Sequence, residues 1–313
     1  MRYYMKKIIS LIMVLFLIML LTFIAFQVIP GDSAASRLGV DAEPEAVEAL
    51  RESLGLNKSL PERFFSFLGG AVRGDFGNSY QYSRPVREML AARLPVTVGL
   101  AVISILMIVV LSVPLGLLCS RKEGGVADRV ITMVTQTLMA VPAFFLGIVI
   151  TLIFGLALKW FVPGAYVAPE EDFGGFLRYM IFPAVAIAVP KIAMTVKFLK
   201  TSVLRELKLD YVRTARSKGN SERAILWKHV LKNALIPVIT FMGMVIADVL
   251  AGSIVVEKVF NLPGVGRLLI TAISNRDYPV VEAGVVYIAS VVLIVNFIVD
   301  LLYQKVDPRV RIK

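Results

Sequence analysis

The sequence predicts an all-α, polytopic membrane protein with six transmembrane helices. Composition is the first ground. Of the 313 residues, 57% are hydrophobic and 18% charged, and mean hydropathy is +0.76; soluble domains average about 45–50% apolar and about 25% charged. Long apolar runs are the second, because about 20 consecutive apolar residues cross the bilayer core as a helix. Basic residues concentrated in alternate loops are the third. One cysteine, Cys119, excludes an intrachain disulfide or a CxxC site, and one histidine, His229, excludes an HExxH metal motif. The net charge of +11 raises nucleic acid as a partner, but basic residues in a membrane chain chiefly mark cytoplasmic loops.

The first span, residues 8–29, is a run of 22 uncharged residues behind Arg2, Lys6 and Lys7. A signal peptide has a shorter apolar region of about 7–15 residues, so a retained anchor is expected. The second, 96–119, is entered through Pro95. The third, 130–158, contains Pro142, which predicts a tilt or kink. The fourth, 179–196, is interrupted by Pro183, Pro190 and Lys191. Pro237 opens the fifth, 238–256, which carries Asp248. The sixth, 280–302, has Glu282 and Asp300 near its ends.

Six spans place both termini on one side. If that side is the cytoplasm, the inner segments 1–7, 120–129, 197–236 and 304–313 hold 20 Lys and Arg in 67 residues. The outer segments 30–95, 159–178 and 257–279 then hold 13 in 109 residues, and acids run the other way, 6 inside against 14 outside. That asymmetry follows the positive-inside rule, so both termini are expected in the cytoplasm. The outer segment 30–95 carries its own pattern. Pro44 follows Asp41 and Glu43 in a first-turn position; Val47, Leu50 and Leu54 recur at helical spacing; Gly55 stops the helix. Phe64, Phe65, Phe67 and Phe76 add an aromatic cluster. A packed extracytoplasmic cap is expected there, with ligand binding as the alternative.

Residues 197–236 are the most informative. Asp210 is placed to cap a helix over 211–218, Gly219 to end it in a left-handed conformation, and Ser221 to cap a second helix with Glu222 in its first turn. Trp227, Leu231 and Ala234 are expected on one face. Ten basic and three acidic residues fall in this stretch. A DNA-binding helix-turn-helix has a similar pattern, but here both ends are tied to spans, so a duplex would have to bind against the bilayer. No nucleic acid partner is expected, and the pair reads as a docking surface for a cytoplasmic protein.

Ionisable residues inside spans suggest a pathway or relay, so Lys191, Asp248 and Glu282 are translocation-pathway candidates, with interspan pairing of Lys191 and Asp248 as the alternative. No GxxxxGK[ST] phosphate loop occurs, so energy must come from a partner or an ion gradient. An ion-coupled carrier is disfavoured by the lack of an evident inverted repeat. Gly252-Ser253 has no histidine nearby and Asp248 no adjacent acid, so no catalytic residues are expected.

The stretch Asp210-Tyr-Val-Arg-Thr-Ala-Arg-Ser-Lys-Gly219, continuing to His229 and Asn233-Ala-Leu-Ile-Pro237, resembles the coupling loop of ABC-importer permeases. With Ile29-Pro-Gly-Asp32, Leu54-Gly-Leu56, Arg73-Gly-Asp-Phe-Gly77 and Arg93-Leu-Pro95, the chain is similar to the B-type subunit of the dipeptide/oligopeptide/nickel permease family. Val259-Phe-Asn-Leu-Pro-Gly-Val-Gly-Arg267, Asn275-Arg-Asp-Tyr-Pro279 and Asp307-Pro-Arg309 extend the likeness to essentially the whole chain. Against the general importer motif Glu-Ala-Ala-x3-Gly, Ala215 and Gly219 match. Arg213 and Thr214 stand at the glutamate and first-alanine positions, and the proline is displaced to Pro237.

The resemblance implies a type I ABC importer permease fold, non-catalytic, in the inner membrane of a prokaryote. It implies an N-terminal helix and outer segment (1–94), a permease domain (95–303) with a coupling loop (204–236), and a cytoplasmic tail (304–313). It further implies a homologous second permease, two ATP-binding subunits and an extracytoplasmic solute-binding protein, with ATP and Mg on the partner ATPases, no cofactor or metal site in this chain, and lipid around it. The coupling residues would be Tyr211, Arg213, Thr214, Ala215, Arg216, Lys218, Gly219, Asn220 and Ser221, with Ala215 on the contact face. The solute would be a dipeptide or oligopeptide, or alternatively nickel or a metal chelate. A cysteine introduced at Asn57 is expected to react with an impermeant reagent from outside intact cells, and one at Asn220 only after permeabilisation; reversed labelling would overturn the charge argument.

Overall fold

The computed structural model describes residues 2–28, 33–39 and 42–306. The Ile29-Pro-Gly-Asp32 motif, Asp41 and the tail motif Asp307-Pro-Arg309 lie outside the described residues. Helices dominate: α1 (Arg2–Val28), α2 (Ser33–Leu38), α3 (Pro44–Ser53), α4 (Leu60–Arg73), α5 (Val86–Arg121), α6 (Val126–Met139), α7 (Ala143–Ile150), α8 (Phe173–Glu206), α9 (Asp210–Ser217), α10 (Glu222–Ala224), α11 (Leu231–Val259), α12 (Val265–Ser274) and α13 (Tyr278–Val306). Two π-helical stretches, Thr151–Ala157 and Ile225–Val230, follow α7 and α10. Among the described residues there is no strand, only the isolated bridge between Asn78 and Pro85.

Five helical segments are long and apolar enough to cross a membrane, and a sixth crossing is counted if α6 and α7 are one span. Five of the six expected spans are present as single helices, most of them longer than the apolar run that marks them. Pro95 does not begin the second long helix; α5 starts at Val86 and runs through it. Likewise Pro237 lies inside α11. Hydropathy marks only the lipid-facing length, whereas the helix continues into polar turns such as Arg87-Glu88. The third span departs furthest. Its two halves meet at 99°, a break rather than a kink. The last turn of α6 closes with short-range bonds, Ala140 N to Thr137 O (3.2 Å) and Val141 N to Leu138 O (3.3 Å), and Pro142 then has no N–H with which to continue.

The chain divides into two compact units. The first comprises residues 1–97 and 263–293. Its apolar centre is Phe64 of α4, whose ring meets Phe23 at 5.3 Å and Phe16 at 6.0 Å. The expected helix at 44–53 is present, with Val47, Leu50 and Leu54 half-buried and Gly55 left-handed at φ 68°; Glu43 stands at its N-cap without a side-chain bond. Asp277 is the polar anchor. Its buried carboxylate accepts from the Ser79 hydroxyl, from Tyr80 N (2.8 Å) and from Gln81 N (3.4 Å). Thr97 Oγ1 accepts from Val265 N at 2.9 Å, and Ser33 Oγ donates to Arg276 O at 3.1 Å.

The second unit, residues 98–262 and 294–313, is organised on α8, which packs against α6, α7 and α11. Small residues set these approaches: a Cβ on Gly116 would stand 2.8 Å from Leu199 Cδ2, and one on Gly243 3.0 Å from Val299 Cγ1. Tyr179 donates its hydroxyl to Phe260 O (2.7 Å) and accepts from Gly164 N (2.9 Å), fastening the loop after the π-helical stretch. Overpacking a close contact costs about 1–3 kcal/mol, so Gly116→Val is expected to lower the thermal aggregation midpoint of the purified chain. Gly252, with nothing within 4 Å of a built Cβ, should tolerate alanine; an unchanged midpoint for both would contradict the packing described.

Candidate functional site

The basic helix pair is built outward from a core. Val212 and Ala215 of α9 sit with Leu199 and Val203 of α8, Leu117 of α5, and Ile225, Leu226 and Val230 of the π-helical stretch. Helical spacing then leaves Arg213, Thr214, Arg216 and Ser217 exposed, followed by Lys218, Gly219, Asn220 and Ser221. Ala215, expected on the contact face, is 7% exposed and points into the chain's own core. A small residue is needed there because α9 lies close to its neighbours.

The turn is as the sequence predicts at two of three points. Gly219 takes φ 80° with its N–H on Arg216 O (2.9 Å), and Ser221 Oγ accepts from Ala224 N (3.3 Å). Asp210, expected as the cap, is instead the first residue of α9, and Leu209 is the N-cap; its charge acts on the helix dipole rather than through a side-chain cap. Asn220 Nδ2 donates to Ala215 O (3.0 Å), Tyr211 donates to Glu206 Oε2 (2.8 Å), and Arg216 forks onto Glu222 at 2.8 and 3.2 Å. Hydrogen bonds from Arg216 hold the Glu222 carboxyl below the usual carboxylate range, and burial pushes the Tyr211 hydroxyl up.

Trp227 is the other correction. It was expected beside Leu231 and Ala234, which are buried at 9% and 0%, but it is 52% exposed. The π-helical stretch explains this: its wider turn breaks the register and turns Ile225, Leu226 and Val230 inward instead.

Of the three pathway candidates, the structure joins two. Lys191 Nζ meets Asp248 Oδ2 at 2.7 Å, between α8 and α11. Both residues lie well inside their helices, yet the Asp248 side chain is 54% exposed on the chain. Glu282 belongs to the other unit and is 8% exposed. Two anchors went unrecognised in the sequence. Asp128, buried, takes Lys200 Nζ, Gly124 N (2.9 Å) and Thr132 Oγ1 (3.2 Å); its only signal was an acid in a basic loop. Asp277 stands directly before Tyr278-Pro279, an acid followed by a first-turn proline, which is a helix-start signature.

Long apolar helices with an ion pair between them and a docked basic helix pair at one end define a multi-pass membrane protein. The chain belongs to the family described as binding-protein-dependent transport system inner membrane component, whose model matches residues 112–312, and the model for that system's N-terminal membrane component matches residues 1–101. It is therefore an inner-membrane transport permease. Among its relatives is the probable peptide ABC transporter permease protein y4tP of Sinorhizobium fredii, 35% identical over 309 residues and covering 99% of each chain. Another is the glutathione transport system permease protein GsiC of Pectobacterium atrosepticum, 36% identical over 312 residues, covering 100% of this chain and 99% of the relative. The fold resembles a chain of the inward-facing MetNI methionine ABC transporter, with TM-score 0.55 and 17% identity, covering 70% of this chain and 96% of that one. The expected ABC-importer permease fold is thus borne out.

The Glu222 carboxyl is held low by Arg216, so the bridge contributes above the ordinary carboxylate range and is lost as pH falls through the lowered folded value. Amide-exchange protection of residues 216–222, corrected for intrinsic rates, should hold from neutral pH into the usual carboxylate range and decline only below it. Glu222→Gln should lose that acid limb; a decline beginning near neutral pH would rule the bridge out as its cause.

Proposed function

We propose that this chain is the permease subunit of an ATP-driven importer of peptides and forms half of its pathway. The carrying observation is the end-to-end similarity to a peptide and a glutathione permease. The other half would be a homologous permease, with two ATPase subunits on the cytoplasmic side and a solute-binding protein outside. ATP and Mg would reside on those ATPases, consistent with the lack of a phosphate loop in this sequence. Both termini would be cytoplasmic. The domain division would be an N-terminal helix with its outer segment (1–94), a permease domain (95–303) with the coupling loop 204–236, and a tail (304–313).

The geometry supports the half-pathway reading at Asp248. A carboxylate at the centre of a lipid-facing helix costs about 2.5–3.5 kcal/mol even on permissive insertion scales. Its exposed side therefore belongs against water or a second protein surface. Coupling would fall to the outward face, Arg213, Thr214 and Ser217, with Tyr211, Arg216, Lys218, Gly219, Asn220 and Ser221 shaping the turn and Ala215 seating the helix.

Reconstituted with its copurified partners, the permease is expected to take up peptide only with ATP; this chain alone in ATP-free vesicles should take up none. Arg213→Glu with Ser217→Glu should cut ATP-driven uptake at least about tenfold, since like-charge or unmatched contacts at an interface cost several kcal/mol. Lys208→Ala on the preceding turn should change it little. Normal uptake by the double variant at equal expression would remove the coupling role, and uptake of nickel but not peptide would overturn the solute.

A further inference from the structure

The first compact unit contains a cavity of about 620 Å³, within the range of about 300–1,000 Å³ typical of small-molecule sites. It is lined by parts of α1 and α4, the 54–58 turn, the 73–80 loop and the first turns of α13. Glu282 is its unusual group. The side chain lies one turn into α13, lines the cavity and is 8% exposed. Among the described residues no donor hydrogen-bonds to it and no cation comes within ion-pair distance. Arg63, the cation whose charge reaches it, stacks its guanidinium 5.9 Å from the Phe23 ring centre.

The contrast with Asp277, five residues earlier, is informative. That carboxylate is buried too, but three donors satisfy it. Glu282 is 8% exposed without such donors and lines the cavity instead, and an ionisable group set in a cleft in that way marks a candidate ligand contact. Lys58 and Arg73 also line the cavity, and both are exposed, so anionic and cationic groups share one small space with the aromatic rings of Phe23 and Tyr278. A metal ion is a poor fit, because no cluster of three acidic, histidine or cysteine ligands exists among the described residues. A purely anionic ligand would meet Glu282 itself.

We infer that this cavity is a binding site for a zwitterionic solute, whose primary ammonium pairs with Glu282, whose carboxylate faces Lys58 and Arg73, and whose body packs on Phe23 and Tyr278. A short peptide with free termini has that chemistry. The site deepens the peptide-uptake reading by placing a solute contact in this unit, apart from the solute-binding protein.

The test uses the complex copurified with its partners, held in nanodiscs without added solute-binding protein, and saturation-transfer NMR with dialanine and N-acetyl-dialanine. Dialanine should bind, and loss of the ammonium by acetylation should weaken binding by about tenfold or more, the worth of a charged hydrogen bond. Glu282→Gln should weaken dialanine to a similar extent while leaving the acetylated peptide unchanged. Equal binding of the two peptides to the unmodified complex, or no binding of either, would overturn the site. ATP-driven peptide uptake by the complete system in parallel separates the two ideas: uptake with no ammonium-dependent binding here refutes this site and leaves the importer reading intact.

Discussion

The hydrocarbon interior offers no hydrogen-bond partners, so each polar group carried into the spans must be satisfied by the chain. Much of this structure follows from that. Ser104, Ser112 and Ser120 each donate to the carbonyl four residues back in α5, and Thr195 does the same in α8, so these hydroxyls are satisfied within their own helices. Lys191 and Asp248 neutralise one another across two helices. Tyr179 spends its hydroxyl on two backbone groups, the carbonyl of Phe260 at the C-terminal end of α11 and the N–H of Gly164 in the loop before α8. Where proline removes a donor outright, at Pro142, the chain changes direction and starts a new helix.

The same economy ties the basic helix pair to the spans. Val212 and Ala215 are not a separate patch; they belong to one apolar cluster with Leu199 and Val203 of α8 and with Ala234 and Val238 of α11. Close-packed side chains do not slide independently, so α9 is built as a rigid extension of two spans. α9 thus shares one packed cluster with α8 and α11, the helices that also hold the Lys191–Asp248 pair.

How much of this was legible in the sequence depended on the range of the cause. Local causes read well. Six apolar runs, the stop at Gly55, the left-handed Gly219 and the Ser221 cap all depend on a few neighbouring residues. Span ends read poorly, because hydropathy reports the membrane-facing length and not the polar turns that Arg87-Glu88 add to α5. The orientation of α9 was misread at Ala215: a small residue suits an outer contact and a tight inner seat equally, and only Val212 beside it, at 0% exposure, decides between them. Trp227 was lost to the π-helical stretch, whose altered period no helical wheel anticipates. Asp128 with Lys200 and Asp277 with Ser79 join residues 72 and 198 positions apart, and sequence spacing holds no record of such pairs.

α1 stands apart in how little protein it touches. Only 11% of its most apolar window is buried within the chain, and Ile9, Ile12, Met13 and Leu21 are all more than half exposed. Its candidate span of 22 residues is roughly 33 Å long at about 1.5 Å per residue, which matches a hydrocarbon layer near 30 Å. The helix is therefore long enough to cross the layer, with most of its apolar side chains left for lipid to cover. Within the chain, α1 grips α4 through the rings of Phe23 and Phe64.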